Sequence, residues 1–367
     1  MASGWMAVAG CWLALDAIPA AALPLYASRE GAKCASCHFD PNGGGMRNDF
    51  GFDYDKNRHS MEQESRWDSV QITPQVNNWI RLGLDTRVLY VADHVNGKSG
   101  FQDTFFPMQG NLRFAITPHE HLAVLGSYGI VVDAPGFPQP YMARELYAKI
   151  QGLPDGGFAK IGRFRPPFGL RQDDHTSFTR IPEFLGYDSQ KEDAGISLGS
   201  VGKHGWLEFS LTNGGEPFNQ NVDAVAGKVA WAWIPLQGGV SGYHLGASDA
   251  FNGTHSDRWS LYLTKTYRRL TGLGEYAAGT DHTLGRETNK MASFGELVYR
   301  VSRGVNVRGK FDYFDSHTPS LGIWRRYSGE VDVAPMPFTE FQFAYRRYNY
   351  ATTADVDEIL AQLFVPF

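Results

Sequence analysis

The sequence of 367 residues has little cysteine, no excess of positive charge and few long apolar runs. Its 3 cysteines are too few for a disulfide-stabilised secreted domain. With 34 Lys and Arg against 39 Asp and Glu, it lacks the basic excess of a nucleic-acid-binding protein, so no nucleic-acid partner is expected. Beyond about the first two dozen residues, no stretch reaches the roughly 18 apolar residues of a membrane-spanning helix. This excludes a helical membrane protein.

Glycine and aromatic residues are abundant instead. The chain contains 41 Gly, and 14% of its residues are aromatic. Its length fits either several soluble domains or one large β-barrel. Glycine and aromatic residues without apolar runs indicate many short strands.

The N-terminal 22 residues have the pattern of a secretory signal peptide. An apolar stretch from Trp5 to Leu15 precedes the small residues at positions 20–22. Val8 to Cys11 also resembles a lipoprotein box, but the small-residue site follows at the usual distance and favours cleavage before Leu23. The mature protein then keeps two cysteines.

Those two cysteines belong to the sequence Cys34-Ala35-Ser36-Cys37-His38, which is the C-x-x-C-H pattern of covalent haem attachment. Two thiols at this spacing add to the two vinyl groups on one edge of a porphyrin, and His38 is placed as the proximal ligand of the iron. A redox-active cysteine pair would be expected on a thioredoxin-like βαβ pattern, which the sequence lacks. A zinc site would need two more ligands nearby. The motif therefore predicts one covalent haem c.

The second axial ligand of the iron stays open between Met46, His59 and Met61. A methionine would raise the reduction potential and a second histidine would lower it. The predicted haem segment, residues 23–75, is too small to bury a haem alone, because chains of this size seldom form a core unaided. It is expected to fold as a plug inside the barrel that follows it.

From residue 76 to residue 367, apolar and polar residues alternate with a period of two. Val307 and Phe311, for example, share one face of a predicted strand, whereas Arg308 and Lys310 share the other. A soluble β-sandwich would have shorter strands and an apolar inner face. Runs of about ten residues with ionised side chains on one face predict an all-β protein, an antiparallel transmembrane barrel of about 16 strands.

The predicted strands are joined alternately by short turns and long loops, as periplasmic turns and extracellular loops are in such barrels. The longest loop, Pro166–Asp193, has room to fold inward and narrow the pore. Arg163, Arg165 and Arg171 near it would then set an anion preference, or else form a solvated rim. Several loops also place His beside Asp, as at His175, which suits Fe(II) binding but is also ordinary loop composition.

The whole mature chain resembles the cytochrome–porin fusions of bacterial outer membranes, in which a monohaem segment precedes a porin barrel. The resemblance rests on Leu25–Gly31 leading into the C-x-x-C-H motif, on the Pro41 that follows it, and on Phe50-Gly51. Within the barrel, Gly162–Leu170 looks like the strand-to-loop segment of phosphate-selective O/P-type porins, and the alternating strand that ends at Phe367 looks like the terminal strand by which outer-membrane proteins are recognised for insertion.

The resemblance implies an outer-membrane electron-transfer protein surrounded by lipid. Its partners would be periplasmic c-type cytochromes on one side and iron or another redox partner outside the cell, with an Fe(II):cytochrome c oxidoreductase as the corresponding activity. Two alternatives remain open. One is an anion-selective O/P-type porin in which the haem segment is a gate or sensor, and the other is a barrel that only anchors a periplasmic cytochrome. Pore conductance separates the conduit from the porin.

Overall fold

The computed structural model describes residues 24–62, 73–129, 143–172, 174, 176–185, 192–214, 222–233, 236–246, 255–283 and 286–367. The predicted signal peptide, residues 1–22, and the loop residue His175 lie outside the described residues. None of the helices in these ranges is long and apolar enough to cross a bilayer.

The described chain forms a closed barrel of sixteen antiparallel strands. Each strand pairs with the next along the chain, and pairing of the first with the last closes the barrel. This confirms the all-β fold class and the strand number predicted from the sequence. The strands are β1 (Ile80–Val95), β2 (Gln102–His119), β3 (Leu122–Gly129), β4 (Ala143–Leu153), β5 (Gly157–Phe164), β6 (Asp193–Val201), β7 (Gly205–Thr212), β8 (Ala224–Trp233), β9 (Leu236–Leu245), β10 (His255–Tyr267), β11 (Leu270–Thr283), β12 (Arg286–Ser302), β13 (Val305–Asp315), β14 (Ile323–Val333), β15 (Glu340–Tyr350) and β16 (Val356–Pro366).

The two faces of the strands differ as the alternation predicts. On β13, Val307 and Phe311 are exposed on the outer surface, whereas Lys310 and Asp312 are buried inside. Other strands repeat this arrangement, with apolar and aromatic side chains outward and charged ones inward. The core of the protein is therefore the polar lumen of the barrel, and the outer surface is apolar.

Some strands extend into predicted loops. The sequence predicts a loop from Asp93 to Thr104, but Asp93 pairs with Gln102 and the connection shrinks to the residues between Val95 and Gln102. Backbone pairing needs no apolar side chain, so the antiparallel ladder continues beyond the part of the strand that carries the hydrophobic alternation.

The N-terminal segment, residues 24–62, lies inside the barrel. It contains α1 (Pro24–Glu30), a 3-10 turn (Cys34–Ser36), α2 (Asp49–Tyr54) and a π-helical turn (Asp55–His59). It contacts opposite parts of the wall, since Ser28 is 3.0 Å from Thr266 of β10 and Arg81 of β1 donates to Asp49. Lys33 donates to the carbonyl of Gly202 at 2.6 Å, which places the segment at the end of the barrel that carries the short turns.

A second part of the chain also enters the lumen. The described residues 166–172, 174 and 176–185, here called the inserted loop, end in the short helix α3 (Pro182–Leu185). Phe178 and Phe184 are buried against inward-facing residues of the barrel wall, among them Phe314. The amide of Gly169 donates to Ser241 at 2.8 Å, and Arg180 pairs with Glu275 at 2.8 Å.

Candidate functional site

The C-x-x-C-H motif forms a tight turn of the N-terminal segment that includes the 3-10 turn Cys34–Ser36. The amide of His38 donates to the carbonyl of Cys34 at 3.0 Å. Asn48 also stabilises this turn. Its backbone amide donates to the carbonyl of Cys37 at 2.9 Å, and its side-chain amide donates to the carbonyl of Ser36 at 3.0 Å. The same side chain caps α2, accepting from the amide of Gly51 at 3.0 Å.

Helix α2 packs directly against the motif. A Cβ atom at Gly51 would collide with the carbonyl oxygen of Cys37, so only glycine allows this approach. On the opposite side of the motif, the three glycines at positions 43–45 all have positive φ. A Cβ atom at Gly43 would lie 3.3 Å from that of Cys34. These glycines therefore let the chain fold closely around the first cysteine.

Both cysteines, His38 and His59 line one cavity inside the barrel. The cavity contains about 1270 Å³ of space not filled by protein atoms, part of it open to solvent. The N-terminal segment supplies one side of it and inward-facing residues of the barrel supply the other, including Arg87, Arg113 and Phe364. The barrel thus provides the wall that so short a segment cannot build.

The two thiols are not joined in a disulfide. Burial raises the pKa of both, and that of Cys37 reaches about 12. Redox-active cysteine pairs react through a thiolate of lowered pKa. The raised pKa of both thiols is the opposite of the shift expected for such a pair.

Of the three distal-ligand candidates, only His59 lines this cavity. Its ring lies edge-on to Tyr26, with 4.8 Å between the ring centres, and its Nε2 is 3.4 Å from a carboxylate oxygen of Glu340. Met46 is buried in a separate apolar cluster with Leu125 and other barrel residues. Met61 is half exposed at the short-turn end, where its amide donates to the carbonyl of Ala334 at 2.8 Å.

A buried ion-pair cluster holds the segment in the lumen. Lys160 of β5 lies 2.9 Å from Asp40 of the segment and 2.9 Å from Glu208 of β7, and all three side chains are buried. Burial alone would raise the pKa of Asp40, but the charges of Lys160 and Arg171 outweigh it and lower that pKa to about 2. Asp40 is therefore ionised and binds the segment to the barrel wall.

The predicted pore arginines all have partners. Arg163 donates to the carbonyl of Glu192 at 3.2 Å, and Arg165 pairs with the carboxylate of the same residue at 3.2 Å. Arg171 lies 3.3 Å from Glu145 and 3.6 Å from Asp40, so it links the inserted loop to both the wall and the N-terminal segment. The charges of Arg165 and Arg171 are therefore balanced by carboxylates, whereas Arg163 is bound by a backbone carbonyl.

The ion pairs of Asp174 in the lumen were not predicted, because the sequence indicates this residue only as one of the Asp residues beside His175. Asp174 of the inserted loop lies 2.7 Å from Lys310 and 2.6 Å from Arg326. The alternation predicts that Lys310 and Arg326 face inward, but their partner comes from a distant loop and has no local signal. Across the described residues, no group of three or more His, Cys, Asp or Glu is arranged to hold a metal ion.

Comparison with known proteins identifies the fold. No family model matches the chain, and no curated protein matches it. The anion-selective porin from Comamonas acidovorans matches with a TM-score of 0.65 and 10% identity, over 78% of this chain and 99% of the porin. OprB of Pseudomonas putida matches with a TM-score of 0.59 and 8% identity, over 86% and 100% of the two chains. OmpF of Salmonella typhi matches with a TM-score of 0.57 and 12% identity, over 80% of this chain and 100% of OmpF.

The barrel has the porin fold. At these identities the likeness concerns the fold alone, so the function must be argued from the lumen and its residues.

Proposed function

We propose that the protein is an outer-membrane cytochrome–porin that conducts electrons between an extracellular donor, such as Fe(II), and periplasmic c-type cytochromes. The observation that carries the proposal is the single cavity lined by Cys34, Cys37, His38 and His59. The two halves of the site come from different parts of the chain, the motif from the N-terminal segment and the remaining wall from the barrel.

The residues present fit a haem c. Cys34 and Cys37 would hold the porphyrin through thioether bonds, and His38 and His59 would bind the iron. Arg87 and other arginines of the lining have the chemistry to pair with propionate carboxylates. A bound haem supplies one-electron transfer at iron. The chain would position the ligands and balance charge, and one-electron transfer needs no acid–base pair or nucleophile.

An outer-membrane location is consistent with the apolar outer surface and the polar lumen. In such barrels the short turns face the periplasm, which would put residues 24–62 at the periplasmic end. Electrons do not cross an apolar band of roughly 25 Å without a redox centre between its faces. A haem held in the lumen by residues 24–62 would be a redox centre between the two faces of that band, near its periplasmic side.

The second candidate is an anion-selective porin in which the haem segment acts as a gate or sensor. The likeness to the anion-selective porin of Comamonas acidovorans favours it at the level of fold. The contents of the lumen favour the conduit, because the N-terminal segment and the inserted loop are both bound to the wall by buried charged groups.

Conductance in planar bilayers separates these candidates. We expect the full-length mature protein to show almost no ion conductance, and a variant lacking residues 24–62 to show stable open channels, because the segment fills the short-turn end of the lumen. The double variant Cys34→Ala/Cys37→Ala is the control. It should stay closed, since ion pairs and not the haem hold the segment. A large, anion-selective conductance of the intact haem-loaded protein would support the porin instead.

A further inference from the structure

Positive charge is concentrated on one side of the short-turn mouth. Three hairpin turns there, residues 199–205, 266–272 and 299–305, carry five Lys or Arg residues and no Asp or Glu. On the other side, the turns at residues 117–123 and 151–157 carry one Glu, one Asp and no Lys or Arg. The five cations, here called the basic arc, are Lys203, Arg268, Arg269, Arg300 and Arg303.

The basic arc is accessible and continuous with the N-terminal segment. Arg268, Arg269 and Arg300 are exposed, and the amide of Arg300 donates to the carbonyl of Arg269 at 2.8 Å, so two of the hairpins adjoin. Arg303 donates to the carbonyls of Ser60 and Asn57 at 2.7 and 2.5 Å. The arc therefore borders the segment that carries the haem motif.

The same mouth gives access to the proximal histidine. A cleft between the motif and the turns on the opposite side of the mouth is lined by His38 and Phe39 together with Glu120, His121 and Gln151. It holds about 1090 Å³ of space free of protein atoms, much of it open to solvent. His38 lines both this cleft and the cavity described above, so it lies between the mouth and the predicted haem site.

We propose that this mouth is the docking surface for an acidic soluble electron-carrier protein, which the basic arc holds over the cleft that leads to His38. The proposal rests on the proposed function, in which electrons leave or enter at this end. Opposite charge on two partners raises their association rate and orients the encounter. Arg300 follows the inward-facing Val298 by two residues and Arg303 binds the segment, so this part of the arc faces the mouth and not the surrounding lipid.

The test measures binding of a purified acidic c-type cytochrome to the protein in nanodiscs of zwitterionic lipid, at about 20 mM and about 300 mM salt. The variant Arg268→Glu/Arg269→Glu reverses two charges of the arc without touching the cavity. Its matched control is Lys98→Glu/Arg286→Glu, which makes the same change at exposed residues of the opposite end. Migration of each unheated protein as a folded barrel in gels checks that the variants fold.

We expect the arc variant to weaken binding at low salt by about ten-fold or more, the control variant to bind like the unmodified protein, and high salt to abolish the difference. A basic cytochrome should bind the arc variant better than the unmodified protein. Equal affinities of the arc variant and the control variant for the acidic cytochrome would overturn the proposal. It would also be overturned if the arc variant bound the acidic cytochrome as the unmodified protein does but lost binding to vesicles of anionic phospholipid. Haem content, read from absorbance, is measured separately. Absence of haem would refute the proposed function, whereas the binding results would still decide the docking surface.

Discussion

At the scale of single residues, position within the barrel separates groups that the sequence alone treats as equal. Met46, His59 and Met61 are all acceptable iron ligands by chemistry, but only His59 lines the cavity shared with both cysteines. Spacing alone is enough to predict haem attachment at the C-x-x-C-H motif, because the attachment chemistry acts within five consecutive residues. Spacing does not show which candidate ligand shares a cavity with the motif, because that depends on how the chain folds back over more than twenty residues.

Replacing His59 tests this assignment. We expect His59→Ala to convert a six-coordinate haem spectrum into that of a haem with an open position, and to raise the reduction potential, because a second imidazole stabilises the oxidised iron. Met46→Leu and Met61→Leu are the matched controls, and neither should change the visible spectrum. A spectral change in either methionine variant, with none in His59→Ala, would assign the ligand to that methionine.

The buried lysine of the ion-pair cluster gives a second residue-scale prediction. Lys160→Met leaves Asp40 and Glu208 buried without their shared cation, and breaking a buried pair in this way costs about 3–5 kcal/mol. The N-terminal segment should then become accessible to protease at a lower urea concentration than in the unmodified protein. Lys98→Met, at an exposed loop position, should leave that concentration unchanged. If Lys160→Met behaves like Lys98→Met, the cluster does not anchor the segment.

At the scale of elements, the strands were predictable, whereas the helices and contacts inside the two lumenal parts of the chain were not. A period-two alternation is a local property, so it predicts both the barrel and its inward charges from the sequence. The helices of the N-terminal segment are short, and α2 has only six residues. Elements of that length are marginal in isolation and gain their stability from packing, here against the motif and the barrel. The inserted loop likewise depends on contacts with distant strands.

The packing of α2 on the motif can be tested at one glycine. In Gly51→Ala the new methyl group collides with the carbonyl of Cys37, and overpacking of this kind costs about 1–3 kcal/mol. We expect a lower yield of haem-loaded protein and a lower thermal midpoint for loss of the haem spectrum. Gly309→Ala, where a Cβ atom meets nothing within 4 Å, is the control. Equal yields of the two variants would show that the motif tolerates movement of α2.

At the scale of the whole molecule, a porin-like barrel holds two parts of its own chain inside the lumen. The N-terminal segment occupies the short-turn end, and the inserted loop crosses the lumen farther along, each bound to the wall by buried charges. A porin conducts solutes through its lumen, whereas this arrangement leaves a cavity beside two cysteines and two histidines. The proposal that this barrel transfers electrons and does not transport solutes is based on these two lumenal parts of the chain and on that cavity.

Electron transfer across a sealed membrane tests this account most directly. The haem-loaded protein is reconstituted in liposomes that contain a trapped, oxidised electron acceptor, Fe(II) is added outside, and the absorbance of the acceptor is followed while a trapped dye reports leakage. We predict reduction of the acceptor without dye leakage, and loss of that reduction in Cys34→Ala/Cys37→Ala. Dye leakage with no reduction that depends on the two cysteines would contradict the conduit and leave an anion-selective porin as the better description.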